Sequence, residues 1–405
     1  MNHTERTNIV ANSIVRIVYD GTIFTSQTSG GISRHFRRLI EEMARIRPEW
    51  EFDLHIVDDG RQTAPLPSGD NIRITRRRHF RPGWLWLPVN YANRQWKIRI
   101  ARPAILHTTL ARPFLCAPCP LVTTIHDSII EKLPEFYSHR DHARSKRWWR
   151  WSARNADAVL TVSRTSRSDI LEVWSPSPSK VHVTYNGVEA TFTKPSLEEA
   201  SCANSKFGLG RPYLLYVGHR GEHKNFRVLA IAIRDSALEE LDLVVVGGAD
   251  RIPELEGWYG LQHNRLHHLK GVTDSELRFL YSGAVALVFP SLYEGFGFPL
   301  VEAMSCGAPV VSSDIPSSRE VCGDVAEFFQ PGDPADCVKA ILRIQDRKER
   351  EFLIRRGIER AKLFAWPSCA VETIRVYEEL IAAWSPATRK RRMPTPRSGS
   401  WARFS

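Results

Sequence analysis

Short apolar runs alternate with longer stretches of helical spacing along the whole chain. In the first half the runs are Ile14–Tyr19, Phe52–Val57, Ile105–Thr108, Val122–Ile125, Val159–Val162 and Val181–Val183. In the second half they are Tyr213–Val217, Leu243–Val246, Leu266–Leu269, Ala286–Phe289, Pro309–Ser312 and Ala326–Phe329. Near-continuous apolar strands between helices predict parallel sheets covered on both faces. Two such series predict two doubly wound α/β domains. The first is expected over 1–195 and the second over 206–365, joined by a polar linker around 190–212. Ligands of such sheets bind beyond the carboxyl ends of the strands, and with two domains the expected place is the cleft between them. The residues that follow each strand therefore carry the functional reading.

After the first strand, Gly30-Gly31-Ile32-Ser33-Arg34 opens a helix. Paired glycines before a helix N-terminus let backbone approach an anionic group. Taken alone, they fit a plain strand-to-helix turn equally well. They form neither a G-x-G-x-x-G fingerprint nor a Walker A loop, which disfavours a nicotinamide enzyme. His126-Asp127 follows the Val122–Ile125 run. A histidine beside an acid could orient or donate to a reacting group, though a lone histidine is more often structural. Gly218 to Asn225 follows Tyr213–Val217 and carries Arg220 and Lys224, which suit an oxyanion or phosphate clamp or simply a solvated loop.

The richest stretch runs from Pro290 through Glu294-Gly295-Phe296-Gly297-Phe298-Pro299 to Glu302 and Gly307. Pro299 suits a helix start and Gly307 a helix stop, which predicts a helix of about two turns. Glu294 then precedes the helix and Glu302 lies about one turn into it. Gly295 and Gly297 would leave amides facing a ligand at the helix N-terminus. Two carboxylates to accept from hydroxyls, with amides and a helix dipole between them for a diphosphate, make a compact polar site.

Composition narrows the class. The chain has 405 residues, 42% apolar and 25% charged, which is globular and long enough for two domains. No apolar run is long enough for a spanning helix, and the polar N-terminus predicts no signal peptide. Seven cysteines are few and odd in number, as expected of a reducing compartment. Cys116 and Cys119 form a single C-x-x-C, short of the four ligands zinc needs, and are read as coincidence.

The net charge of +11 invites a nucleic-acid reading, but its distribution is uneven. Residues 71–115 hold ten basic and no acidic residues, whereas 206–365 hold 20 basic and 22 acidic. Basic residues mixed with tryptophan over 76–102 and 144–151 suit an anionic membrane surface or a lipid-diphosphate acceptor. The alternative is solvated arginines with tryptophans packed inward. The tail 386–405 adds six basic residues and is expected to be disordered.

Glu294 to Glu302 resembles the E-x7-E signature of retaining GT-B glycosyltransferases. The surrounding pattern is similar to family 4, especially its bacterial mannosyltransferase-type members. Six companions agree in order: Gly30-Gly31-Ile32-Ser33-Arg34, Thr124 to Asp127, Thr161 to Ser163, Tyr185-Asn186-Gly187, Tyr216 to Phe226, and Gly271 to Leu277. The resemblance spans about residues 14–385 and implies a GT-B fold whose last helix, 366–385, crosses back to the first domain.

It also implies roles. Glu302 would accept from ribose hydroxyls and Glu294 from a donor-sugar hydroxyl. Amides around Gly295, Phe296, Gly297 and Phe298 would bind sugar and phosphates. Arg220 and Lys224 would neutralise the departing diphosphate. Their spacing differs slightly from other members, which leaves the division of work between them open. Gly271 and Val272 would lie near the base. Gly30 and Gly31 would close over the phosphate, and His126 would touch the sugar. Since the chain lacks an Asp-x-Asp, metal independence is expected. No cofactor is expected beyond a nucleotide-diphosphate sugar, for which GDP-mannose is the best candidate on subfamily resemblance. The expected product is a cell-surface polysaccharide or glycolipid, made at the cytoplasmic face of the membrane. A same-fold sugar-nucleotide epimerase or glucan synthase stays open, as does a nucleic-acid-binding protein, although the latter leaves Glu294 and Glu302 without a role.

Overall fold

A computed structural model describes residues 14–27, 30–58, 64–78, 87–111, 113–114, 117–137, 139–196, 199, 206–248, 252 and 265–384. The basic tail 386–405, Cys116, Trp84 and Trp86 lie outside the described residues.

The first half builds a seven-stranded sheet in the order β3-β2-β1-β4-β5-β6-β7. Its strands are β1 (Arg16–Asp20), β2 (Glu51–Asp58), β3 (Ile72–Arg78), β4 (Ile105–Thr108), β5 (Leu121–Thr124), β6 (Ala158–Thr161) and β7 (Val181–Val183). The second half builds a six-stranded sheet, β10-β9-β8-β11-β12-β13. Here the strands are β8 (Tyr213–Val217), β9 (Asp242–Val246), β10 (Leu266–Leu269), β11 (Ala286–Phe289), β12 (Val310–Ser313) and β13 (Glu327–Phe329). Every ladder in both sheets is parallel. Strands such as β9, β11 and β12 are buried along their whole length, as strands covered on both faces must be.

Thirteen helices cover the sheets among the described residues. They are α1 (Thr22–Ser26), α2 (Gly31–Ile46), α3 (Leu87–Ile100), α4 (Ile129–Lys132), α5 (His139–Asn155), α6 (Arg164–Trp174), α7 (Phe226–Ala232), α8 (Asp274–Gly283), α9 (Phe298–Ser305), α10 (Pro316–Cys322), α11 (Pro334–Ile344), α12 (Arg347–Ala361) and α13 (Trp366–Ala383). None of them is long and apolar enough to cross a membrane. The last helix packs on the first half, where Trp366, Cys369, Ile374 and Tyr377 join the core under α2. A buried polar chain ties it in place: Tyr377 Oη lies 2.9 Å from Tyr19 Oη and 2.5 Å from His107 Nδ1, and His107 Nε2 lies 2.8 Å from Thr124 Oγ1. Gly187 permits the crossing, because a Cβ there would lie 2.2 Å from the Trp366 nitrogen.

One strand differs from the sequence expectation. Ile72–Arg78 reads as part of a basic patch, but it is the edge strand β3. Ile72 and Ile74 pack on the core while Arg73 and Arg76 face solvent, and charge on an edge strand discourages pairing with another chain.

Other parts of the basic, tryptophan-rich stretches are also structural. Arg94 bonds to buried Asp20 at 2.5 Å, and its guanidinium stands over the Phe114 ring. Trp149 and Trp151 pack on the core, Trp149 edge-on to buried Trp174.

Candidate active site

The carboxyl ends of both sheets face one another across a cleft that holds a cavity of about 810 Å³. Gly30, Gly31, His126, Lys224, Gly271, Val272, Glu294 to Phe298 and Glu302 all line it. Residues remote in sequence are thus brought to one wall by the strand-end geometry of two sheets. Arg220 is not part of that wall. Its guanidinium donates to the Gly247 carbonyl at 3.0 Å and packs against Gly248, at the back of the loop.

The segment between β11 and α9 is built for close approach. Gly297, the residue before α9, has φ 94°, a left-handed conformation that favours glycine. A Cβ at Gly295 would stand 2.4 Å from the His126 carbonyl oxygen, so only glycine lets the domains meet there. A Cβ at Gly31, on the opposite side, would stand 3.3 Å from the Phe298 ring. Gly295 therefore serves the contact between domains. Ser166 seals the same junction, with its hydroxyl lying 2.9 Å from the His126 carbonyl and 3.3 Å from that of Gly295.

Both carboxylates of the signature carry cations. Glu294 Oε1 accepts from Lys224 Nζ at 2.5 Å, within one domain. Glu302 is buried, and its Oε1 accepts from Arg34 Nη1 at 2.6 Å, across the cleft. Its Oε2 accepts from the Tyr281 hydroxyl at 2.8 Å. Burial raises the Glu302 pKa above the usual carboxylate range, and Arg34 and Tyr281 oppose that rise.

His126 is held neutral: burial first, then His35 and His107, push its pKa well below the usual imidazole value. Its Nε2 is buried with no hydrogen-bond partner among the described residues, and such an atom in a cavity wall suits a ligand hydroxyl. Asp127 beside it has its pKa raised to about 6, by burial and then by Glu294, against the opposing amide of Ile129 and Lys224.

Several wall residues carry no role in the sequence reading. Arg34 reads only as part of a glycine motif, and Lys270, Asp274 and Asp127 stand unassigned, yet all four line the cavity. Lys270 has a local signal, since it directly precedes the Gly271-Val272 pair that marks a strand end. Nothing local in sequence signals that Arg34 meets Glu302.

A second cavity of about 390 Å³ opens on the other side of the Tyr293-Glu294 segment. Lys132, Thr165, Ser168 and Asp169 line it from the first domain, and Glu294 is common to both cavities. The Tyr293 hydroxyl bridges the domains here, donating to Asp169 at 2.7 Å. Nearby, Glu320 reaches across to accept from the Arg164 and Thr165 amides at 2.6 and 2.8 Å.

Two parallel α/β domains facing across a cleft, with an E-x7-E segment at a helix start on its floor, define a GT-B glycosyltransferase. The pattern described as "Glycosyltransferase Family 4" matches residues 29–192, and "Glycosyl transferases group 1" matches 199–360. O-antigen chain mannosyltransferase B of Escherichia coli is 33% identical over 276 residues, 64% of this chain and 70% of that protein. An MMP alpha-(1->4)-mannosyltransferase of Mycolicibacterium hassiacum is 30% identical over 301 residues, 65% of this chain and 66% of that one. Among solved structures, sucrose-phosphate synthase from Thermosynechococcus elongatus superposes with a TM-score of 0.76 at 21% identity, covering 91% of this chain and 100% of that one. Anabaena Alr3699/HepE, solved in complex with UDP and glucose, gives 0.70 at 17% identity, covering 90% and 100%. The chain belongs to glycosyltransferase family 4.

Proposed function

We propose that the protein is a retaining, metal-independent hexosyltransferase that moves mannose from GDP-mannose to a glycan or lipid-linked acceptor during polysaccharide synthesis. The observation that carries the reading is the cavity in which Glu294, Lys224, Glu302 and the N-terminus of α9 converge from one domain, and Gly30, Gly31 and His126 from the other. The mannosyltransferase relatives support mannose as the sugar.

In this reading the diphosphate lies between Lys224 and the amide end of α9. Breaking the sugar–phosphate bond puts charge on the diphosphate, and preorganised cations and amides stabilise that charge as it grows. Arg220 adds positive potential from behind the Gly247-Gly248 loop. Glu294 and neutral His126 take sugar hydroxyls. The two carboxylates are not a glycosidase acid–nucleophile pair, because each already holds a cation and both belong to donor binding. Configuration is retained by front-face attack of the acceptor, assisted by the leaving phosphate. The second cavity shares Glu294 and gives the acceptor's glycan end a place beside the sugar.

The acceptor half would meet an anionic membrane through α3. Val89, Trp96 and Ile100 lie on one helical face and are 43%, 59% and 56% exposed, with Lys97 and exposed Arg99 beside them. An apolar stripe flanked by cations is the pattern of an interfacial helix. Among the described residues, α3 is favoured over α5, where Trp149 and Trp151 pack against the core.

A thermal-shift panel tests the donor. A ligand bound only by the folded state raises the melting temperature. GDP-mannose is expected to raise it more than UDP-glucose or ADP-glucose, and a panel with no responder overturns the reading.

A further inference from the structure

We propose that Arg34 is a positioning residue: from the first domain it holds the Glu302 carboxylate charged and oriented for the donor's ribose, so that the nucleotide site of the second domain is completed by its neighbour. The proposal rests on the donor reading above.

The geometry is a fork. One Arg34 nitrogen donates to Glu302 Oε1 at 2.6 Å and the other to Asp274 Oδ1 at 3.0 Å. The Glu302 side chain is 5% exposed and that of Asp274 42%, so the fork runs from the cavity floor to its mouth. A lysine carries a point charge and does not reproduce such a two-pronged contact. All three residues line the same cavity.

The lone pairs show what the arrangement leaves open. Each carboxylate oxygen can accept about two hydrogen bonds. Arg34 takes one on Oε1 and Tyr281 takes one on Oε2. One site remains on each oxygen, which matches a pair of vicinal hydroxyls such as those of ribose. The carboxylate plane is then fixed by two protein donors before any ligand arrives, one of which comes from across the cleft. Hydrogen bonds to an ionised acceptor are about twice as strong as neutral ones, so the charge matters as much as the orientation.

Without Arg34 that charge is poorly supported. Burial favours the protonated acid, and Asp274 pushes in the same direction. Tyr281 donates but carries no charge; its own proton is held tightly by burial and by Glu302. Glu189 stands behind Arg34 and Cys306 follows the helix that carries Glu302, so neither supplies a cation.

The test is calorimetric titration with GDP and with UDP as probes, from pH 5.5 to 8.5. It compares wild type, Arg34→Met, Arg34→Lys, Tyr281→Phe and Glu320→Gln. Glu320 bridges the domains away from the donor cavity, so Glu320→Gln loosens the contact between domains without touching Glu302. Arg34→Met is expected to weaken the better-bound nucleotide roughly tenfold at pH 6 and much less at pH 8.5, because Glu302 regains its charge as pH rises. Arg34→Lys keeps the charge but not the fork and restores part of the loss at pH 6, and Tyr281→Phe gives a smaller, similarly pH-dependent loss. Glu320→Gln leaves affinity unchanged at every pH. In turnover, Arg34→Met raises the donor KM with kcat nearly kept.

An equal loss at all pH values, or the same loss in Glu320→Gln, shows that Arg34 merely joins the domains and overturns the proposal. A folded Arg34→Lys that behaves like Arg34→Met at pH 6 overturns it too. Wild-type protein that takes up neither nucleotide overturns the donor reading itself, and the proposal with it.

Discussion

Glu294 and Glu302 stand in one short segment, yet they take their cations from opposite sides of the cleft. Glu294 pairs with Lys224 of its own domain, and both are partly exposed at 13% and 26%. Glu302 pairs with Arg34 of the other domain and is 5% exposed. The first pair lies within one domain and needs nothing from the other. The second exists only when they meet. A pair that is always formed suits charge that must be ready when a bond breaks. A pair that spans the cleft, present before any ligand arrives, suits the binding of the nucleotide. On the proposed reading, one signature motif serves both reaction and recognition.

The largest effect should come from breaking the first pair. Lys224→Ala removes the cation assigned to the diphosphate and leaves Glu294 unpartnered, and transfer should fall by about two to four orders of magnitude. Glu294→Ala should cost a similar amount. Nucleotide binding should change far less in Glu294→Ala than in Lys224→Ala, because Glu294 is assigned to the sugar. Steady-state transfer alongside nucleotide titration checks this. Full transfer in either variant would mean that the pair is structural.

Glu302→Ala sharpens the contrast, with a smaller effect of a different kind. Donor KM should rise about ten- to a hundredfold while kcat falls by less, the signature of lost ground-state binding. An equal fall in kcat would erase the distinction between the two carboxylates.

The contrast also explains what the sequence could disclose. Strand-end loops are legible because near-continuous apolar runs, such as Ala286–Phe289 of β11, mark the strands, and their carboxyl ends mark the site. Lys224 and Glu294 follow two such ends, β8 and β11, which are neighbours in one sheet. Their meeting is a local consequence of that sheet. Arg34 and Glu302 belong to different sheets' helices, and their pairing depends on how two domains dock. No periodicity encodes that. The strand Ile72–Arg78 stays hidden for a different reason. Its pattern is Ile-Arg-Ile-Thr-Arg-Arg-Arg, short of apolar residues because it is an edge, and its charge dominates the reading. Docking also gives Gly295 a role that local reading could not supply, since its neighbour is the His126 carbonyl of the other domain.

Glu320 offers a milder way to weaken one contact between the domains, away from Glu302. It accepts from the first two amides of α6, which otherwise has only Ser163 as its cap. Glu320→Ala leaves those amides to solvent and should cost about 1–2 kcal/mol, by analogy with the loss of a helix cap. Denaturant unfolding measures it. Donor affinity should stay close to wild type, which separates a contact that only joins the domains from one that also shapes the site.

Asp127 gives the smallest expected effect, and it depends on pH. Its pKa is raised to about 6 in the folded protein, by burial first and by Glu294 among the charges, against about 3.9 in an unfolded chain. The folded state therefore binds the proton more tightly than the unfolded one. By linkage, stability falls as pH rises from about 4 to about 6 and is level above that. Asp127→Asn removes the titrating group and should abolish that fall, so the variant gains over wild type as pH rises through this window. A rise from about 3.9 to about 6 corresponds to about 3 kcal/mol at most, and the Asp127 side chain, intermediate in exposure, is expected to realise about 1 kcal/mol of it at pH 7. Unfolding midpoints at pH 4, 5, 6 and 7 measure it. A gain that is constant across this range, or one that shrinks toward pH 7, would show that Asp127 is not strained by its burial beside a second carboxylate. The repulsion between Asp127 and Glu294 would then be absent from the empty cleft, and Lys224 alone would balance both acids.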